Sequence, residues 1–233
     1  MDQNPAMKII AHIRTDFATK FGVPRQSGLV DELKARIVFE EEYRVAEAVR
    51  GLEEFSHIWV IWQFSGAIRP DWSPTVRPPR LGGNTRMGVF ATRSPFRPNA
   101  IGLSSVRLEG VETHPAWGTV LRVSGADLMD GTPIYDIKPY IPYADCHEDA
   151  LGGFTEAAPR RMLQVEFPET WLQRVPADKR AALRAVLAND PRPSYQQDPA
   201  RVYGFVFAGL EVRFTVAEET LTVCGVEKAA PAK

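Results

Sequence analysis

The chain has 233 residues, 44% of them apolar and 24% charged, and a formal net charge of −1. That balance suits a globular protein with its own core and excludes a disordered, collagenous or generally basic chain. Two cysteines (Cys146, Cys224), four scattered histidines and no apolar window near the roughly 18 residues of a membrane span exclude a disulfide scaffold, a Cys/His zinc site and a spanning helix.

Met7 to Arg14 alternates apolar and polar residues as a strand does. A loop follows whose Gly22, Pro24 and Gly28 imply tight chain geometry, with Pro24-Arg25-Gln26 as a candidate contact triplet. A second strand is expected over Ala35 to Phe39, and a short helix over Glu41 to Arg50, with acids in its first turn and Gly51 as its stop. Ser56 to Phe64 is the most apolar and aromatic run and reads as a central strand.

Ser73 to Leu108 carries six arginines (Arg77, Arg80, Arg86, Arg93, Arg97, Arg107) and no acidic residue. Prolines and glycines shape it into two loops around a strand over Arg86 to Arg93. Guanidinium groups on stiff loops, without local carboxylates, suit phosphate or carboxylate; the plain alternative is a solvated basic surface.

Leu103 to Glu112, Thr119 to Gly125 and Ile134 to Lys138 are further strands. Seven short strands, one helix and Gly/Pro-rich loops predict a mainly β fold, a sheet closed or nearly closed into a barrel. Between Tyr143 and Arg160 the pattern turns irregular, so a boundary is expected there, dividing the chain into 7–147 and a small α+β unit over 160–227. The second unit shows a strand over Arg161 to Phe167, an amphipathic helix over Asp178 to Ala188, three strands from Arg201 to Val226, and a basic loop, Asp190-Pro191-Arg192-Pro193-Ser194-Tyr195.

No G-x-G-x-x-G, Walker A or G-x-S-x-G sequence is present. His57 is a candidate base or a satisfied structural group. Asp127, Asp130 and Asp136 are a candidate metal trio, but turn aspartates commonly bond their own backbone, so no metal is expected. Asp130-Gly131-Thr132-Pro133 is a turn whose backbone suits a purine edge or a small carboxylate. Tyr140 and Tyr143 either stack on a base or pack structurally.

Several motifs together resemble the TsaA/TrmO family: Arg77 to Asn84 (RPPRLGGN), Met87 to Ser94 (MGVFATRS), Phe96 to Asn99, Ile101-Gly102, Asp130 to Pro133 and Asp136 to Tyr140. Gly51-Leu52-Glu53 and Phe55-Ser56-His57 belong to the same pattern, and Asp190 to Pro193 with Tyr195 fits its longer bacterial form. The start MDQNPAMKII shows neither a basic n-region nor an apolar h-region, so a cytoplasmic location is expected. The resemblance implies a single-sheet β-barrel, a homodimer, and methylation of N6 of threonylcarbamoyladenosine beside the tRNA anticodon, with S-adenosylmethionine as donor. It places the cofactor on Pro24, Arg25, Gln26, Ser65, Gly66, Arg93 and Leu128, Met129, Asp130, Gly131 and Thr132. Ser65-Gly66 departs from the polar pair common in relatives, so that contact is expected through backbone. The leading general base is Asp136, with Tyr43 or Lys138 orienting it. Arg77, Arg80, Arg86, Arg97 and Arg192 would meet RNA phosphates. The competing reading is a small-molecule methyltransferase, or a cofactor-binding regulator, on the same barrel. Reach discriminates the two: RNA needs arginines spread over a face, a small ligand needs them converging.

Overall fold

A computed structural model describes residues 6–156, 162–192 and 198–230, without the side chain of Arg80. The first half is built from β1 (Ala11–Arg14), β2 (Lys34–Phe39), β3 (His57–Gln63), a minimal hairpin of β4 (Thr75–Val76) and β5 (Met87–Gly88), then β6 (Ile101–His114), β7 (Gly118–Ser124) and β8 (Pro133–Pro139). A one-turn helix, α1 (Pro142–Asp145), follows. The large strands pair antiparallel in the order β1-β2-β7-β6-β3-β8, and β8 returns to β1 through Ala11–Ile134, so the sheet closes on itself. β6 makes this possible. Its first half pairs with β3 and its second half with β7, with an irregularity between Leu108 and Gly110.

Alternation explains the interior. Ile13, Ile37, Ile58, Val60, Leu121, Val123 and Ile134 all face inward and are fully buried, each contributing roughly 1.5–3 kcal/mol.

The expected helix over Glu41 to Arg50 is instead two 3-10 turns, Glu41–Tyr43 and Ala46–Val49. Only Val49 of this stretch is buried, and the Arg44 guanidinium donates to the Phe39 carbonyl, folding the chain back before a helix can propagate. The expected strand over Arg86 to Arg93 shrinks to Met87–Gly88, because the Thr92 hydroxyl and amide both bond the Val89 carbonyl and close a 3-10 turn.

The second half contains β9 (Gln164–Glu166), the short α2 (Glu169–Leu172), α3 (Arg180–Ala188), β10 (Tyr203–Phe207), β11 (Leu210–Ala217) and β12 (Thr220–Lys228). They form a four-stranded sheet, β10-β11-β12-β9, with β9 parallel to β12. Its apolar cluster takes Ala182, Leu183, Val186 and Leu187 from α3, and it also takes Phe17, Val30 and Leu33 from the β1–β2 connection. The apolar side chains of residues 17–33 therefore pack on the second sheet, while the backbone of this segment bonds the 125–132 connection through Phe17, Gly28 and Leu33. A side chain at Gly22 would stand 2.3 Å from the Phe205 ring, the Ala208 amide donates to the Asp16 carbonyl, and Lys179 pairs with Asp16 at 2.6 Å.

Among the described residues no helix is long and apolar enough to cross a membrane.

Candidate functional site

Strand direction sends three long connections to one end of the closed sheet: 15–33 after β1, 64–100 after β3 and 125–132 after β7. Every residue expected to touch cofactor in the first half lies on them. The site is built upward from the inward face at that end. Gly102 sits opposite Trp62 in the β3–β6 ladder, and a Cβ there would stand 2.2 Å from the indole. The missing side chain admits the ring, whose Nε1 donates to Ser104 Oγ at 2.9 Å. The Ser104 hydroxyl donates to Asp127 Oδ1 at 2.6 Å. Burial pushes the Asp127 carboxyl above the ordinary range, opposed by the Ser104 hydroxyl, its own amide and that of Ser27, and the Arg93 charge.

Around that carboxyl the structure gathers several of the expected contacts. Arg93 donates to the Gln26 side-chain carbonyl, joining connections 15–33 and 64–100. Gly66 faces the Met129 methyl, which a Cβ would approach to 3.4 Å, so 64–100 also touches 125–132. Arg25 donates to the Arg192 carbonyl at 3.1 Å, tying the first loop to the connection after α3. The 128–132 turn contributes less than expected. The amides of Asp130, Gly131 and Thr132 are spent on the carbonyls of Phe17, Ile13 and Met129, and the Asp130 carboxylate accepts from the Thr15 amide. The Met129 carbonyl accepts the Thr132 hydroxyl as well as its amide.

Arg77 and Arg86 occupy the ladder position just past Val76–Met87 and line one small concavity with Ser73, Thr75 and Val76. Two like charges across a ladder destabilise it, so the pair is suited to an anion lodged between them. Arg97 donates to the Thr92 carbonyl at 2.8 Å and lies over the Phe90 ring. Arg192 differs from these. Its guanidinium is bidentate on Asp190 at 2.8 and 2.9 Å and is 12% exposed, so it is already paired internally. The Arg80 side chain and Pro193, Ser194 and Tyr195 lie outside the described residues.

Asp136 and Lys138 project from β8 and pair at 2.9 Å; Asp136 also accepts from the Ile137 amide. Tyr43 lies in the β2–β3 connection, at the other end by strand direction, and hydrogen-bonds Lys8, not Asp136. Tyr140 packs against Trp59 and His57 while Tyr143 is 91% exposed. His57 bonds its neighbour Ser56. Among the described residues no three His, Cys, Asp or Glu side chains converge to hold a metal. Trp62, Ser104 and the role of Asp127 escape sequence reasoning; the available signal is Gly102-x-Ser104 on the inward face of a strand.

Comparisons with known proteins bear on this geometry. Residues 12–146 match the tRNA-methyltransferase O N-terminal domain, and residues 160–229 match the TrmO C-terminal domain. A tRNA (adenine(37)-N6)-methyltransferase of Escherichia coli is 42% identical over 226 residues, spanning 94% of this chain and 96% of its own. A Pyrococcus abyssi protein named a probable S-adenosyl-L-methionine-binding protein is 37% identical over 147 residues, 63% of this chain and 74% of its own. The crystal structure of TrmO from Pseudomonas aeruginosa superposes with a TM-score of 0.79 at 34% identity, covering 98% of this chain and 99% of that one.

Proposed function

The chain belongs to the tRNA-methyltransferase O family, and on that premise we propose that it methylates N6 of adenine 37 in tRNA, with S-adenosylmethionine as donor and threonylcarbamoyladenosine as the target base. One observation carries the reading: the Gln26–Arg93–Asp127 cluster and the Arg77–Arg86 pair share a single end of the sheet, linked through one connection. Arg77 and Arg86 share one concavity while Arg93 bonds Gln26 and Arg97 the Thr92 carbonyl, so these four cations are divided among separate contacts, which favours a polynucleotide over a small ligand.

The residues present fit the cofactor. Arg93 and Gln26 offer donors for a carboxylate, Asp127 an enclosed negative charge for an ammonium or sulfonium, Met129 over Gly66 an apolar wall, and Leu128 and the Met129 amide backbone groups. When bound, S-adenosylmethionine supplies an electrophilic methyl group on sulfur. The chain's task is then orientation: to hold the base so that its nitrogen lies in line with that methyl. The exocyclic nitrogen must also shed its proton. We assign the base to Asp136, whose carboxylate is positioned by Lys138 at 2.9 Å. Tyr43 takes no part in this assignment. We place the chemistry in 7–147, use 160–227 as the support of the cofactor loop, and take the working form to be a cytoplasmic homodimer. Arg77, Arg86 and Arg97 meet the anticodon-loop phosphates, whereas Arg192 acts through Asp190 and Arg25.

Mass spectrometry of tRNA nucleosides from a deletion strain tests the reading. The methylated threonylcarbamoyladenosine disappears while its unmethylated parent persists; retention of the methylated nucleoside contradicts it.

A further inference from the structure

Connection 64–100 holds more than arginines. Its two limbs are zipped together by the Thr75–Gly88 and Val76–Met87 rungs and by the Val89 amide on the Pro74 carbonyl. The zipper brings Trp72 beside Phe90, with ring centroids 6.1 Å apart and planes 28° apart, a stacked pair. Neither ring is used by the core: Trp72 is 51% and Phe90 71% exposed. Water-exposed stacked aromatics are costly to keep unless something covers them. The surroundings say what covers them. Arg97 lies 5.9 Å from the Phe90 centroid, Arg69 lies 3.8 Å from that of neighbouring Phe96, and Arg77 and Arg86 stand on the same hairpin. Six arginines and one carboxylate, Asp71, make up the charge of 64–100.

We propose that Trp72 and Phe90 form a stacking platform for an unpaired nucleobase of the RNA substrate, next to the target adenine. The inference rests on the RNA-methyltransferase reading and adds the surface that reads single-stranded structure. Flat aromatic faces flanked by cations are what unpaired bases and their phosphates require. Position favours a base beside the target. Phe90 is three residues before Arg93, within about 10 Å along an extended chain, and Trp72 follows Gly66 by six. An adenine presented to a cofactor must leave its stack, and the neighbour it abandons loses a partner. The platform replaces that partner and holds the loop open. RNA is favoured over a second copy of this chain because the connection is strongly net positive, six arginines against Asp71, and would repel itself across a two-fold interface.

The test uses full-length protein, S-adenosylmethionine and an anticodon stem-loop RNA with 2-aminopurine beside the target adenosine. Wild type binds the RNA and the fluorescence of the probe changes as it restacks. In the Trp72→Ala, Phe90→Ala double variant the RNA Kd rises by roughly tenfold or more and the fluorescence change is lost, while cofactor Kd and melting temperature stay as in wild type. Trp72→Phe keeps most of both signals. Unchanged RNA affinity and fluorescence in the double variant overturn the platform. So does a change in oligomeric mass by light scattering without a change in RNA binding, which would give the patch to a second copy. Failure of wild type to bind the stem-loop at all overturns the RNA reading itself, and the platform with it.

Discussion

Arg93 and Asp127 are the residues on which the cofactor assignment turns, and they make opposite demands. The arginine is a donor fixed by Gln26, and removing it strips a charge-assisted contact from the site. Such contacts contribute about 1.5–3 kcal/mol, so Arg93→Ala raises the S-adenosylmethionine Kd by roughly ten- to a hundredfold in calorimetry, with little change in melting temperature. Asp127 is a carboxyl that burial holds above its ordinary pKa. The folded protein therefore binds this proton more tightly than the unfolded chain. The stability it contributes is complete below about pH 4 and is lost as pH rises through the raised value. Asp127→Asn, which keeps an oxygen acceptor for Ser104, removes that loss. It raises stability at pH 7, and the difference from wild type vanishes near pH 4 in thermal melts. An equal difference at both pH values would show that the carboxyl is not held in this way. Arg93 stood out in the sequence by its charge as one of six arginines, and its cofactor role was expected from the family resemblance. Asp127 was visible as a turn residue and a candidate metal ligand, not as an enclosed carboxyl, since its enclosure depends on Ser104 and Trp62 arriving from two other strands.

Elements carry the next level. The strands were legible wherever alternation met a buried face, as in β2, β3 and β7. The helix expected at Glu41 to Arg50 and the strand expected through Arg93 were not legible as they are. Both are settled by hydrogen bonds to single carbonyls, Phe39 and Val89, that no periodicity records. The least legible feature is where the cofactor loop rests. Residues 17–33 follow β1 in sequence, yet their apolar side chains enter the second sheet's cluster, and Gly22 is what lets the chain cross Phe205 at φ +85°. A side chain there is strained by its backbone as well as by the clash. Gly22→Ala destabilises by about 2–4 kcal/mol and weakens cofactor binding in the fraction that folds, measured by denaturant titration and calorimetry. A neutral substitution would mean that the loop does not depend on the second sheet.

At the scale of the whole molecule, a chain with net charge −1 concentrates cations on one connection at one end of one sheet. This separation gives RNA a place to bind without a basic protein. Counterion release makes that binding salt-dependent, with a slope near −0.7 per phosphate neutralised on a single strand. Replacing Arg77 and Arg86 together by alanine lowers the slope of log K against log salt by about 1.4, while Arg192→Ala changes it little because that guanidinium is spent on Asp190. Equal slopes for all three proteins would remove the hairpin from the interface. The most direct measurement combines purified protein, S-adenosylmethionine labelled on its methyl group, and tRNA carrying or lacking threonylcarbamoyl at adenosine 37, followed by nucleoside mass spectrometry. The label is predicted on N6 of the threonylcarbamoylated adenosine and absent from tRNA without the modification; label elsewhere, or equal label on both tRNAs, would contradict the proposed reaction.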